Sequence, residues 1–129
     1  MNKSMTTINF DTVREIGLAL PGVEESTTYG APSLKVSGQL LTCPAINKSA
    51  ERGSLAVRIS FDERAELLEG APDVYYITDH YVNYPCVLVR LSRIDRDALR
   101  DLIRMSWKFV SAKARVRKRA VRKQRRAVS

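Results

Sequence analysis

The segment from Leu20 to Val36 constrains the fold more than any other. It reads Leu-Pro-Gly-Val-Glu-Glu-Ser-Thr-Thr-Tyr-Gly-Ala-Pro-Ser-Leu-Lys-Val and holds two of the five prolines and two of the six glycines. Pro21 cannot continue a helix, because it lacks an N–H and its ring clashes with the preceding turn. Gly22 then supplies a residue that accepts positive φ. Tyr29-Gly30-Ala31-Pro32 marks a second turn, and Ser33-Leu34-Lys35-Val36 alternates polar and apolar as a half-buried strand does. A helix therefore has to end before this segment, and a strand has to begin inside it.

The flanking chain supplies both. Ile8 to Leu20 reads as a helix with Phe10, Val13, Ile16 and Leu20 on one face. Asn9 is a candidate N-cap, and Thr12 with Glu15 offers a rival capping box. Gly17 sits inside that helix at a cost of about 1 kcal/mol, which a close approach to a strand would explain. Beyond the segment, Gly38 marks a hairpin turn, and Gln39 to Cys43 forms the returning strand, ended by Pro44. Asn47 to Gly53 is a polar loop. Ser54 to Phe61 places Leu55, Val57, Ile59 and Phe61 on one face of the cleanest strand.

Asp62 to Glu69 reads as a short helix capped by Ser60 or Asp62 and closed by Gly70. Val74 to Ile77 is a short strand, and Asp79 to Pro85 is a loop with two tyrosines. Cys86 to Leu91 is almost wholly apolar, which predicts a strand covered on both faces. From Asp95 to about Ala114 a final helix carries Leu99, Leu102, Ile103, Ser106 and Val110 on one stripe. The order is α-β-β-β-α-β-β-α. Hairpin-length links predict a single α+β domain, with a twisted antiparallel sheet of about five strands and helices packed on one side.

Charge divides the chain. Residues 1–112 hold 13 Lys+Arg against 14 Asp+Glu, whereas residues 113–129 hold nine cations and no acid; together these give the formal +8. The expectation is a nearly neutral domain over 8–112 and a basic C-terminal tail over 113–129, as frayed helix or disordered chain. No stretch approaches the roughly 18 apolar residues of a membrane span, so a cytoplasmic protein with no integral membrane segment is expected. Two cysteines, Cys43 and Cys86, are too few for a metal or disulfide framework and read as small buried residues.

With this order of elements, the sequence resembles the MmcQ/YjbR family. The residues that carry the resemblance are Leu20 to Glu25, Tyr29 to Gly38, the strand ending at Phe61, the Val87–Leu91 strand and the closing helix with Ser106-Trp107. The similarity spans roughly Phe10 to Ala112. It departs from the pattern at Cys86-Val87, where many members carry tryptophan. The resemblance implies a small frataxin-like α/β fold of "double wing" shape, in a family described as DNA-binding.

The tail is the sharpest chemical signal: Lys113, Arg115, Arg117, Lys118, Arg119, Arg122, Lys123, Arg125 and Arg126. Cations at this density suit phosphates, and the absence of aromatics beyond Phe109 argues for backbone contact without base stacking by the tail. Lys35 and Lys108, with Arg58, Arg90 and Trp107, are candidates for a second contact surface. Tyr29, Tyr81 and Tyr84 lie in loops, where they either stack on bases or anchor a loop.

The single histidine, His80, rules out a two-histidine metal site, and nothing marks either cysteine as activated. The expectation is therefore a non-enzymatic protein without cofactor or metal, monomeric by default. DNA is the partner, with RNA as the alternative. A protein-interaction or small-ligand module with an incidental tail is the rival reading.

Overall fold

The computed structural model describes the backbone of residues 8–128 and the side chains of residues 8–116. The element order is α1 (Phe10–Leu18), β1 (Val23–Thr28), β2 (Ala31–Val36), β3 (Gln39–Pro44), β4 (Ser54–Arg58), α2 (Phe61–Gly70), β5 (Tyr75–Tyr76), β6 (Cys86–Arg90) and α3 (Arg96–Val128). The strands form one sheet in the order β1-β2-β3-β4-β6-β5, with every neighbouring pair antiparallel. This is the expected α+β domain, with six strands rather than about five.

The added strand is β1. Val23 to Thr28 has one large apolar residue and two glutamates, so it shows no period-2 apolar pattern. It sits at the sheet edge, where one flank and one face meet water and polar residues suffice. Its register with β2 runs from Val23 opposite Val36 to Thr28 opposite Ala31. The two-residue turn between them, Tyr29-Gly30, has φ of +52° and +78°. Ser37-Gly38 closes the next hairpin with φ of +52° and +76°. Positive φ at both central positions is the signature of the type I′ turn, whose twist matches that of the strands.

Asn9 caps α1: its side chain accepts from the Thr12 amide, and the Thr12 hydroxyl accepts from the Asn9 amide. Ser60 caps α2, accepting from the Glu63 amide. That cap ends the preceding strand early. Phe61 therefore opens α2 and is half exposed, instead of extending the apolar face of β4.

The core lies between one sheet face and the helices. Val13 of α1 and Leu99, Leu102, Ile103 and Val110 of α3 meet Leu34, Leu41, Leu55, Val57, Val87 and Val89 of the sheet, all buried. Each such side chain contributes about 1.5–3 kcal/mol on leaving water. Gly17 explains how α1 lies so close: a Cβ there would stand 2.4 Å from Leu34 Cδ1.

One irregularity shapes the sheet. β2 pairs Leu34 with Thr42 and Lys35 with Leu40, so Leu41 is an extra residue. This bulge places Leu41 in the core and re-phases β3, so that Leu40 and Cys43 both face away from the helices. Ser106, fully buried on α3, donates its hydroxyl to the Leu41 carbonyl at 3.3 Å. The next residue, Trp107, donates its indole N–H to the Pro21 carbonyl at 2.8 Å. The Ser106-Trp107 pair thus ties α3 to the bulge and to the Pro-Gly turn.

Candidate nucleic-acid interface

The basic segment continues α3. The helix runs unbroken for 33 residues, about 50 Å at 1.5 Å per residue. Val110 is the last buried residue among those described. Lys113, Arg115 and Val116 lie past it, and Arg115 and Val116 are exposed. Lys113 Nζ sits 5.0 Å from the centroid of the Phe109 ring. The side chains of Arg117, Lys118, Arg119, Arg122, Lys123, Arg125 and Arg126 lie outside the described residues, on a backbone that is helical through Val128.

The candidates on the domain fare differently. Lys108 is exposed on α3 beside Glu63, Asp101 and Arg104. Lys35 stands on β2 opposite Glu24 of β1. Arg90 is committed to structure. Its guanidinium donates to both Glu51 carboxylate oxygens at 2.9 and 2.8 Å and to the Pro72 and Asp73 carbonyls, and it stacks 4.3 Å from the Tyr76 ring centroid. The Arg90 guanidinium holds the Glu51 carboxyl below the usual carboxylate range. Trp107 is likewise bound to Pro21.

Arg58 is different. It alternates with core-facing Val57 and is paired across the sheet with Cys86, so it rises from the face opposite the helices. There it lines a cleft of about 750 Å³. The floor is Leu40, Cys43, Ala56 and Cys86, and the rim carries Tyr29, Ile46, His80, Tyr81 and Tyr84. The bulge at Leu41 is what brings Leu40 and Cys43 onto this face together.

The rim is fixed by Arg64 of α2. One guanidinium donates to the carbonyls of Val82, Tyr84 and Cys86 at 2.9, 2.9 and 3.2 Å. The planar fork of arginine suits three converging acceptors in a way lysine does not. Tyr81 is the half-buried residue of the same loop: its amide donates to the Thr78 carbonyl and its carbonyl accepts from the Tyr84 amide, both at 2.9 Å, and its ring lies edge-on to His80 at 4.8 Å. Tyr29 and Tyr84 are instead 90% and 60% exposed. The loop tyrosines therefore divide: Tyr81 anchors, while Tyr29 and Tyr84 present their rings.

His80, Cys43 and Cys86 do line one cleft, the arrangement a Cys/His nucleophile would need. Burial pushes the Cys86 thiol up to about 11 and raises that of Cys43, so both are neutral near pH 7. Among the described residues, no group of three or more His, Cys, Asp or Glu side chains is placed to hold a metal ion.

Sequence reading missed the cleft. Arg64 carried no local signal, and the bulge that aligns Leu40 with Cys43 is a property of strand pairing. The one legible hint was a tyrosine beside Gly30 in a turn, where small polar residues or glycine are usual.

The comparisons place this geometry among known proteins. The YjbR family model matches residues 18–109, from the end of α1 to Phe109. The crystal structure of Deinococcus radiodurans protein DR2400, a DUF419 domain, superposes with a TM-score of 0.68 over 84% of this chain and 82% of that one. It is 19% identical, a likeness of fold. Two mycobacterial proteins described as uncharacterised, Mb2600 of Mycobacterium bovis and Rv2570 of Mycobacterium tuberculosis, are each 42% identical over 55 residues. That match covers 41% of this chain and 42% of either relative. With 92 consecutive residues of its α+β domain matched, the chain belongs to the YjbR family.

Proposed function

We propose that this protein is a non-enzymatic, cytoplasmic nucleic-acid-binding protein, with DNA as its main partner, that grips the phosphate backbone through the C-terminal part of α3. The observation that carries the reading is the partition of charge. Nine cations and no acid fall in residues 113–129, beyond a domain that is one charge negative. Continuation of α3 past Val110 supports it, since Lys113 and Arg115, the described cations of the segment, stand exposed on that helix. The neutral state of both thiols supports a binding role over nucleophilic catalysis. Among the described residues no helix is long and apolar enough to cross a membrane.

Phosphate contact makes affinity fall with salt, with a slope of about 0.9 per phosphate neutralised on B-DNA. The test is fluorescence anisotropy of labelled duplex DNA across a salt series, comparing the full chain with a chain ending at Ala112. Every core residue named above lies at or before Val110, so the shorter chain keeps the packing. The full chain is expected to bind with a steep slope and the shorter one to lose both affinity and slope. Equal binding by the two sinks the reading.

A further inference from the structure

The cleft on the open sheet face is built in a way the fold does not require. Its volume of about 750 Å³ falls within the roughly 300–1,000 Å³ of ligand sites. Tyr29, Ile46 and Tyr84, at 90%, 58% and 60% exposure, all stand on its rim. Large apolar side chains gathered at one concavity mark a contact site more than scattered ones do.

Tyr29 is the most telling. Its backbone is left-handed, which costs a non-glycine residue about 1–2 kcal/mol. Its ring recovers almost nothing by burial. The equivalent turn position in the next hairpin is the small polar Ser37. An aromatic ring held out at that cost is suited to stacking on something from outside.

Arg58 adds a charge. Its Nε is buried and has no hydrogen-bond partner among the described residues, and no ion pair among them includes it. A buried donor left unpaired is costly, and a guanidinium that lines the cleft without a carboxylate partner among the described residues is suited to meet an anion there. The guanidinium carbon lies 5.8 Å from the Phe109 ring centroid, and Lys113 Nζ lies 5.0 Å from the same ring. From the cleft lining the Arg58 guanidinium thus reaches back to Phe109 of α3, the ring that Lys113, the first cation of the basic segment, also meets.

We propose that the cleft receives an unpaired nucleotide of a single-stranded nucleic acid. Its base stacks on Tyr29 and Tyr84, its phosphate meets Arg58, and the flanking backbone passes Phe109 onto α3 at Lys113. The proposal rests on the nucleic-acid reading of α3 and adds a preference that the tail alone does not supply. Stacking on aromatic rings requires an unpaired base, and a B-form duplex offers none.

The experiment titrates the full chain against labelled oligothymidylate and against a duplex of equal length. Tyr84→Ala, Tyr29→Asn and Arg58→Gln are compared with the wild type. Tyr29→Asn also places a favoured residue in the turn, so its thermal stability should not fall. Each tyrosine variant is expected to weaken oligothymidylate binding by about 5- to 150-fold, the range for one stacked base. Arg58→Gln is expected to weaken it as well, and all three should leave duplex binding unchanged. Variants that hold oligothymidylate as tightly as the wild type overturn the proposal, as does equal loss on both probes. Replacing Lys113, Arg115, Arg117 and Lys118 by Gln separates the two readings. If that variant binds both probes undiminished while Tyr84→Ala still loses the single strand, the reading of α3 fails and the cleft stands.

Discussion

Single residues carry much of this fold's specificity. Gly17 is the clearest case, because a methyl group there would meet Leu34 Cδ1 at 2.4 Å, and Leu34 is fully buried. Alanine would gain about 1 kcal/mol of helix propensity but would press on the buried Leu34 side chain, which would have to shift. Overpacking costs about 1–3 kcal/mol, so after that gain Gly17→Ala should destabilise by up to about 2 kcal/mol, read from urea unfolding. A more stable variant would mean α1 sits less tightly than described. Cys86 gives a test in pH. Burial raises its pKa from 9.0 to about 11, so the folded state favours the neutral thiol. The stability this contributes is full below pH 9 and is lost as pH rises through about 11. Iodoacetamide near neutral pH should alkylate Cys86 slowly in the folded chain and readily in urea. Rapid labelling of the folded chain would place the thiol in a different environment.

Among the elements, the β3–α3 contact decides how the sheet is read. Leu41 is the extra residue of the bulge, and Ser106 donates to its carbonyl from a fully buried position. Ser106→Ala leaves that carbonyl without its partner and should cost about 1–3 kcal/mol. Because the bulge also aligns Leu40 with Cys43, the variant should disturb the cleft, seen as chemical-shift changes at Tyr81 and Tyr84. Arg64 is the second such device. Arg64→Lys keeps the charge but cannot reach three carbonyls at once, so hydrogen exchange in residues 82–86 should accelerate. Unchanged exchange would show that Tyr81 alone anchors that loop. Both ties were hard to read from the sequence. A serine in an apolar stripe and an arginine in an amphipathic helix look like ordinary surface variation until the chain brings their acceptors to them.

For the whole molecule, the relevant division is between a packed domain and the helix that leaves it. All core residues described end at Val110, whereas α3 continues to Val128. Truncation after Ala112 should therefore leave the cooperative unfolding transition in place, with a denaturant slope only slightly reduced, because Val116, Val121 and Val128 are the only apolar residues larger than alanine in the segment removed. Loss of the transition would mean that the basic segment docks on the domain. Electrostatically, the removal takes away nine cations and leaves a chain that is one charge negative. The same variant thus tests domain integrity by unfolding and backbone binding by salt dependence, and the two readouts are independent.

Much of this architecture is written locally along the chain. Pro21-Gly22 barred α1 from continuing, each of the first two helices had its cap among two candidates (Asn9 or Thr12, Ser60 or Asp62), and alternating or continuous apolar runs marked β2, β3, β4 and β6. The charge partition was complete in the order of residues. These are local properties, set by backbone chemistry and by periodicities of two and 3.6 residues. The remaining features arise from long-range pairing and packing. The edge strand β1 exists because β2 offers it partners, since its own residues have no apolar face. The bulge at Leu41 arises from pairing between strands. The cleft joins Tyr29, Arg58 and Tyr84, three residues far apart in sequence that carry no mutual signal. Their convergence depends on which face of the sheet the helices leave open, and that is fixed by long-range packing.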